Sequence, residues 1–391
     1  MNFQVLDRIL REATPQVAPA IACRVEQAGE VCFQAAHGWL DPEQRSRPVG
    51  LESPFDLASL TKLFTATAFL RLVDQGKASL DQPPTQVLPE FAGERPVGGA
   101  EDPLTKEPLP PDPRWAGQRI PSQRITFRQL LTHTSGLPAW RSIYRHCGPP
   151  PRLVDFQNPV EVARRQRCGL EQAVRYPLIY PPGQGYAYSD VGLILLGYAV
   201  ARLHGSGDLA RALAELVTEP LGLTAQFNPP PALHPRIPPT EFCTWRQRRL
   251  RGEVHDENAA GMGGVAGHAG LFGTVADLCR LGRLYLNQGE DLLSAGLVAE
   301  SIREQVRSPE GVRRGLGWLL PSPPDPSCGP RFSPDSFGHT GFTGTSLWCD
   351  PTRELCVALF TNRVYHGRDP RGITGLRPRV HTAVIQGLEG A

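Results

Sequence analysis

The chain has 391 residues, of which 40% are hydrophobic and 20% are charged, a composition typical of a folded globular protein rather than a disordered one. Its 41 basic and 39 acidic residues are mixed along the sequence and give a formal net charge of +2, so nothing in the charge pattern favours binding to nucleic acid or to an anionic membrane. We expect a small neutral or mixed-charge molecule as the partner, and the sequence leaves the oligomeric state open.

The start of the chain predicts an amphipathic helix from Met1 to Thr14 rather than a secretory signal, because charged side chains interrupt its apolar positions. No later stretch contains enough consecutive apolar residues to span a bilayer. We therefore expect a cytoplasmic protein, unless a leader was removed before residue 1.

A β-hairpin and a long helix are predicted next. Apolar runs at 20–25 and 31–36 flank the turn residues 27–30, and a short run at 55–57 predicts a further strand. Helical spacing of apolar residues then extends from Ser59 to about Gln75, so Ser59 is expected at a helix N-terminus.

Residues 92–124 are rich in proline and glycine and have no clear period. This segment is interpreted as a long surface loop or insertion, and its function is not legible from the sequence. Directly after it, residues 126–129 predict a capping box that opens a short helix.

The second half of the chain predicts more helices and a closing hairpin. These elements are a helix over 191–203 with Asp190 as N-cap and Gly205 as its end, a helix over 275–286 after Thr274, a hairpin made by 341–348 and 355–362, and a last helix near 380–387. Hairpins near both chain ends indicate one mostly antiparallel sheet assembled from the two termini.

Nine cysteines are scattered through the sequence without a Cys-x-x-Cys pair. An odd number with this spacing favours free, buried thiols over a disulfide framework or a zinc knuckle. We therefore expect structural cysteines in the reduced form.

Ser59 and Lys62 have the Ser-x-x-Lys spacing, which places a hydroxyl and an amine on one face of a helical turn. Lys62, Lys77 and Lys106 are the only lysines, and arginine cannot release its proton in a protein. The motif therefore predicts an amine that helps to activate a nucleophilic serine. Taken alone, it also fits an exposed serine and lysine on an ordinary helix.

Several segments, in order, resemble the motifs of the class C β-lactamase family, the penicillin-recognising serine hydrolases. They are 55–62 (FDLASLTK), 125–138 (ITFRQLLTHTSGLP), Pro182-Gly183 followed by Tyr188-Ser189-Asp190, and 338–341 (GHTG). The resemblance covers most of the chain and leaves 92–124 outside it. The family also contains D,D-peptidases, D-aminopeptidases and esterases.

The resemblance implies an α+β fold of the β-lactamase/transpeptidase type. We expect residues 1–80 and 255–391 to form a mostly antiparallel sheet flanked by helices, and 81–254 to form a mainly helical domain that carries the insertion. The site is expected in the crevice between them.

The resemblance also implies the role of each catalytic residue. Ser59 attacks a carbonyl, Lys62 lowers the pKa of its neighbours, and Tyr188 shuttles the proton to the leaving group. A phenol with a pKa near 10 becomes a base at neutral pH only beside a positive charge, which Lys62 supplies. The backbone N–H groups of Ser59 and Phe342 are expected to form the oxyanion hole. A structural tyrosine is the alternative for Tyr188.

Two positions depart from the family's commoner residues. Asp190 replaces an asparagine, and an ionised carboxylate accepts hydrogen bonds but cannot donate one to a substrate carbonyl. His339 stands where β-lactamases usually have lysine, before Thr340 and Gly341 of the same strand, and is expected to assist proton transfer or to orient a substrate carboxylate. A plain N-cap and a strand histidine without a role are the alternatives.

His255, with residues 256–258, and His268 invite a metal interpretation, but no His-x-His or His-Glu-x-x-His spacing accompanies them. We expect no metal, and we place His255 at a rim that contributes to substrate selection. The glycines between 261 and 273 lack the spacing of a nucleotide-binding loop. No cofactor is therefore expected.

The sequence thus predicts a serine hydrolase that forms an acyl-enzyme on Ser59, with small carboxylic esters as the favoured substrates. The alternatives within the enzyme class are a D-amino-acid peptidase or D,D-carboxypeptidase acting on amide substrates, and a β-lactamase. A catalytically silent scaffold of the same fold is the alternative outside it.

Overall fold

The computed structural model describes residues 1–102, 105–324 and 326–390. The strands are β1 Ala20–Gln27, β2 Glu30–Gly38, β3 Phe55–Asp56, β4 Glu94–Pro96, β5 Ala100–Glu101, β6 Pro108–Leu109, β7 Arg119–Pro121, β8 Gln226–Phe227, β9 Phe242–Cys243, β10 Arg248–Arg249, β11 Leu271–Gly273, β12 Val306–Arg307, β13 Arg313–Arg314, β14 Leu319–Leu320, β15 Phe337–Thr340, β16 Ser346–Asp350 and β17 Leu355–Thr361.

The α-helices lie between these strands and at both ends of the chain. They are α1 Gln4–Ala13, α2 Thr61–Asp74, α3 Phe127–Leu131, α4 Pro159–Ala173, α5 Asp190–His204, α6 Leu209–Leu213, α7 Glu257–Gly261, α8 Val275–Leu286, α9 Ala295–Ile302 and α10 Arg371–Glu389.

An eight-stranded antiparallel sheet is built from the two ends of the sequence, in the order β12-β13-β14-β15-β16-β17-β1-β2. The β1–β2 hairpin turns at Ala28 and Gly29, both with positive φ (49° and 85°), as a two-residue turn that follows the twist of the strands requires. Strand β1 also pairs with β17, with Ile21 opposite Thr361, so the first and last strands lie side by side. The prediction of one antiparallel sheet flanked by helices is confirmed.

Helices cover both faces of this sheet. Apolar side chains of α1 and α10 pack with one face, where Ile21 and Val357 are completely buried. Helix α8 packs on β1, β16 and β17 from the other side, where the larger core begins. The division into the sheet domain 1–80 with 255–391 and the domain 81–254 stays a prediction.

Helix α2 runs through the interior, and every side chain from Thr61 to Leu70 is buried. It packs against α5, whose first turn carries Asp190. Two helices surrounded by core define the positions of the side chains on their first turns closely. This packing places Lys62 near the start of α5.

Three predicted boundaries are wrong. Ser189 rather than Asp190 caps α5, because its hydroxyl accepts a hydrogen bond from the Gly192 N–H at 3.0 Å. Strand β16 begins at Ser346 and not at residue 341, because residues 341–345 form a turn. The last helix begins at Arg371 and continues through Pro378, a residue that usually interrupts helices.

The described residues of the segment 92–124 include paired strands as well as loops. Strands β4 and β7 pair with each other, and so do β5 and β6. The buried Arg95 guanidinium donates to the carbonyl of Phe91 at 3.0 Å and also to that of Val174. The buried Arg95 guanidinium therefore connects the insertion to the rest of the protein through hydrogen bonds.

The expectation that all cysteines are free is wrong for one pair. Cys147 and Cys168 form a disulfide with a Cα–Cα distance of 5.5 Å, within the usual range for such a bond. Their separation of 21 residues produced no sequence pattern that would mark a pair. The other seven cysteines are free, and six of them are buried.

No helix in the described part of the chain combines the length and the hydropathy needed to cross a bilayer.

Candidate active site

Ser59 lies on a short 3₁₀ turn, Ala58–Leu60, between β3 and α2. Ala58 precedes it with φ of 47°, in the left-handed region that residues with a Cβ seldom adopt. The Leu57 N–H donates to the carbonyl of Leu271 in β11 at 2.9 Å. The sharp turn leaves Ser59 at the wall of a cavity.

Lys62 lies one helical turn further on and is only 1% exposed. Its ammonium Nζ is 2.8 Å from Ser59 Oγ, 3.0 Å from the carbonyl oxygen of His268 and 2.8 Å from Asp190 Oδ1. Burial lowers the pKa of Lys62, but the charge of the neighbouring Asp190 opposes this effect, and the net pKa lies above its ordinary value. Lys62 is therefore a cation at neutral pH.

Tyr188 lies beside this cation, with Lys62 Nζ 4.9 Å from its ring centroid. On another side, the buried guanidinium of Arg314 is 5.0 Å from the centroid. The loop is held by His133, whose carbonyl accepts from Ala187 N and whose Nδ1 accepts from Ser189 N, both at 3.0 Å. The Tyr188 ring therefore lies near two positive charges, those of Lys62 and Arg314. The hydrogen bonds to His133 hold the backbone on either side of it.

Asp190 occupies the first residue of α5 and points its carboxylate at Lys62. The Ser189 hydroxyl already accepts the N-cap hydrogen bond, so the aspartate is available for the ion pair. Because an ionised carboxylate has no hydrogen to donate, Asp190 offers a substrate acceptors only.

The expected oxyanion hole lies where the turn after β15 meets the nucleophile turn. A Cβ added at Gly341 would be 2.7 Å from the Leu57 carbonyl oxygen and 3.4 Å from the Ala58 Cβ, so only glycine allows this approach. The Arg377 guanidinium donates a hydrogen bond to the Gly341 carbonyl at 2.8 Å. The backbone of Gly341 and Phe342 is therefore adjacent to Ser59.

His339 is buried in β15, with its ring centroid 6.0 Å from that of Tyr188. Its Nδ1 lies 2.9 Å from the Thr340 carbonyl oxygen and must donate to it, because a carbonyl only accepts. Burial and the nearby charges of Arg314 and Lys62 hold the pKa of His339 well below its usual value. It is a neutral imidazole behind Tyr188.

A cavity of about 240 Å³ opens in front of Ser59. Of the residues predicted for the site, Ser59, Tyr188, Asp190, His255 and Phe342 line it. The structure brings these side chains together with the buried Lys62. His339 and Thr340 lie in β15, and Gly341 lies in the turn after it.

His255 stacks on Phe342, with ring centroids 5.6 Å apart, and its Nε2 is 3.2 Å from Glu241 Oε1. His268 Nε2 is 2.9 Å from Asp256 Oδ1. Burial raises the pKa of Asp256, but the charge of His268 outweighs it and the net pKa lies well below the usual range. Within the described residues, no group of three or more His, Cys, Asp or Glu side chains lies close enough together to hold a metal ion.

Lys106, Trp140 and Arg368 also line the cavity, although the sequence did not identify them as part of the site. The Lys106 ammonium is 3.4 Å from the Trp140 ring centroid, and Arg368 pairs with Glu241 and Glu257. The scarcity of lysine was the one signal that could have drawn attention to Lys106. Nothing local marks Trp140 or Arg368, because tertiary folding brings them to the cavity.

Comparisons with known proteins agree with this architecture. Residues 6–378 match the family model described as Beta-lactamase. A putative D-alanyl-D-alanine carboxypeptidase of Escherichia coli (strain K12) is 29% identical over 391 residues, which cover 92% of this chain and 81% of that protein.

Solved structures of similar shape include the unliganded simvastatin synthase LovD from Aspergillus terreus, in its selenomethionyl form, with a TM-score of 0.73, 20% identity, and coverage of 99% of this chain and 98% of that one. EstCE1, described as a hydrolase with promiscuous acyltransferase activity, has a TM-score of 0.67, 21% identity, and coverage of 96% and 99%. At these identities the likeness shows a shared fold. By the match of its sequence over nearly its whole length, the chain belongs to the Beta-lactamase family and is a serine hydrolase.

Proposed function

We propose that the protein hydrolyses small carboxylic esters through an acyl-enzyme on Ser59. The observation that carries this proposal is the 2.8 Å contact between Ser59 Oγ and the buried Lys62 ammonium at the wall of the cavity, with Tyr188 beside them. A serine in contact with a buried amine, with a phenol beside that amine, is an arrangement that can activate a nucleophile.

Acylation begins when Tyr188, as phenolate beside Lys62, takes the Ser59 hydroxyl proton while Oγ attacks the ester carbonyl carbon. The carbonyl π electrons move to oxygen, and the N–H groups of Ser59 and Phe342 stabilise that oxyanion by about 3 kcal/mol per donor. The C–O bond to the leaving group then breaks, and Tyr188 gives its proton to the departing alkoxide. Lys62 stays protonated, in agreement with its raised pKa.

Deacylation repeats the same steps with water. Tyr188 takes a proton from a water molecule, the resulting hydroxide attacks the acyl carbon, and the proton returns to Ser59 Oγ as the carboxylic acid departs. Apart from the substrate and water, the proposed cycle uses only residues of this chain.

The preference for esters rests on Asp190 and His339. A peptide or β-lactam side chain presents an amide carbonyl that needs a donor, and the Asp190 carboxylate supplies acceptors only. His339 is neutral and lacks the positive charge of the lysine that β-lactamases usually carry there. A simple ester depends on neither group.

A D,D-carboxypeptidase is the second candidate. Its support is the relative from Escherichia coli, described as a putative D-alanyl-D-alanine carboxypeptidase and matched over 92% of this chain. Cleavage of such a peptide would use the same nucleophile and differ in the leaving amine.

The test is a panel of p-nitrophenyl butyrate, D-alanyl-D-alanine peptides and a chromogenic cephalosporin, measured on wild type and on Ser59→Ala. We expect the ester to have the highest kcat/KM, a burst of nitrophenol equal to the enzyme concentration, and an acyl adduct on Ser59 by mass spectrometry. Ser59→Ala is expected to lose at least about 10³-fold in kcat with nearly the same melting temperature.

Higher kcat/KM for the D,D-peptide or the cephalosporin would replace the ester assignment with one of those activities. A folded wild-type protein that forms no adduct with any of the three, nor with a fluorophosphonate, would be a silent scaffold. Residual turnover at the parent rate in Ser59→Ala would move the nucleophile elsewhere.

A further inference from the structure

Asp56, the last residue of β3, is a carboxylate buried in the core and only 4% exposed. Each of its oxygens accepts a backbone hydrogen bond: Oδ1 from the Ala58 N–H at 2.8 Å and Oδ2 from the His255 N–H at 2.6 Å. An isolated buried carboxylate is costly, so a residue with these contacts has a function that an apolar side chain could not replace.

The first of these bonds fixes an unfavourable backbone conformation. Ala58 has φ of 47°, in the left-handed region that is unfavourable for a residue with a Cβ. In the more favourable right-handed or extended conformations the chain would leave β3 in another direction. The direction of Ser59, the next residue, therefore depends on keeping Ala58 left-handed.

The same short segment holds the other half of the expected oxyanion hole. The Asp56 carbonyl accepts from Thr343 Oγ1 at 2.8 Å, and the Leu57 carbonyl accepts from Thr345 Oγ1 at 3.0 Å. These threonines belong to the turn that carries Phe342. A shift of residues 56–58 would therefore move both N–H donors relative to each other.

We propose that Asp56 is a positioning residue that holds Ala58 in its left-handed conformation and thereby aligns Ser59 with the oxyanion hole. This inference rests on the proposed acyl-enzyme function. A carboxylate is required because two N–H donors approach from different segments and each needs its own acceptor oxygen. Asparagine has one oxygen, and its NH₂ would face a second N–H.

The test measures the acylation rate of Ser59 with p-nitrophenyl butyrate by stopped flow, at a temperature where each variant is folded. Asp56→Asn is expected to acylate about tenfold more slowly than wild type. Ala58→Gly removes the penalty for the left-handed conformation, since glycine adopts it freely. The acylation rate of Asp56→Asn/Ala58→Gly is therefore expected to lie within about threefold of the Ala58→Gly rate.

Asp277→Asn is the matched control. Asp277 is also a buried aspartate whose two oxygens accept backbone N–H groups, from Thr224 at 2.7 Å and Thr274 at 2.8 Å, but it lies in α8, outside the cavity lining. The Asp277→Asn variant should have a lower melting temperature and an unchanged acylation rate in the folded protein. A purely structural role of Asp56 would produce the same result as this control.

Acylation of Asp56→Asn at the wild-type rate would overturn the inference, and so would a tenfold loss that persists in the Ala58→Gly background. If Asp56→Asn alone does not fold, a double variant that acylates tenfold more slowly than Ala58→Gly still overturns the inference. A wild type that forms no Ser59 adduct would instead refute the proposed function itself.

Discussion

Two regions border the same cavity and differ in what the sequence reveals about them. The segment 55–62 contains the Ser-x-x-Lys spacing, and its side chains are mostly buried. The insertion 92–124 has no recognisable period, yet it contributes Lys106 to the lining of the cavity. The pairing of Ser59 with Lys62, one helical turn later, is visible in the sequence. The position of Lys106 at the cavity depends on tertiary folding and is not.

The contrast also separates two kinds of contribution to a reaction. Lys62 touches the nucleophile, with a 2.8 Å contact to Ser59 Oγ. Lys106 is half-buried, and its ammonium rests on Trp140 at the side of the cavity. We therefore expect the first region to determine the rate of bond breaking and the second to influence which substrates bind.

After Ser59→Ala, the largest effect is expected from Lys62→Arg. The longer guanidinium keeps the charge, but it does not fit a site in which the ammonium already contacts Ser59 Oγ, Asp190 Oδ1 and the His268 carbonyl. We expect kcat for p-nitrophenyl butyrate to fall at least about 100-fold. Lys77→Arg, at an exposed position after α2, is the matched control and should behave as wild type. Wild-type kinetics in Lys62→Arg would remove the distinction between the two regions.

Lys106→Met should alter selectivity instead. Removing one positive charge from the cavity disfavours an ester that bears a carboxylate relative to one that bears an ammonium. A change of about 1 kcal/mol corresponds to about fivefold in the ratio of their kcat/KM values. The effect should shrink in 1 M salt.

Lys77→Met controls for the loss of a lysine and should leave that ratio unchanged. A fall in kcat for every ester, charged or neutral, would instead place Lys106 among the groups that act on the reacting bond.

Local patterns predicted the elements whose determinants are local. The apolar runs at 20–25 and 31–36 around a turn, the capping box at Thr126, and Thr274 before α8 all correspond to observed elements. The predictions failed where two residues compete for one function, as Ser189 and Asp190 do at the α5 N-terminus, or where tertiary packing continues a helix through Pro378.

Within the site, the presence or absence of a recognisable motif decided which residues the sequence could identify. Motifs that resemble a known family pointed to Ser59, Lys62 and Tyr188, which the fold brings to one place. Trp140 and Arg368 carry no such signal, because their positions at the cavity follow from the packing of loops far apart in sequence. The left-handed Ala58 was equally invisible, since alanine gives no indication of positive φ.

An effect of similar size to that of Lys106→Met is expected at Asp190, which belongs to a family motif and also lines the cavity. Asp190→Asn gives the site a donor for a substrate carbonyl, so amide-bearing substrates should gain relative to simple esters by about threefold to tenfold in kcat/KM. Simple esters should lose somewhat, because the ion pair that keeps Lys62 charged is removed. Asp208→Asn, at the exposed N-cap of α6, should leave the ratio unchanged. An unchanged ratio in Asp190→Asn would show that the carboxylate does not select against amides.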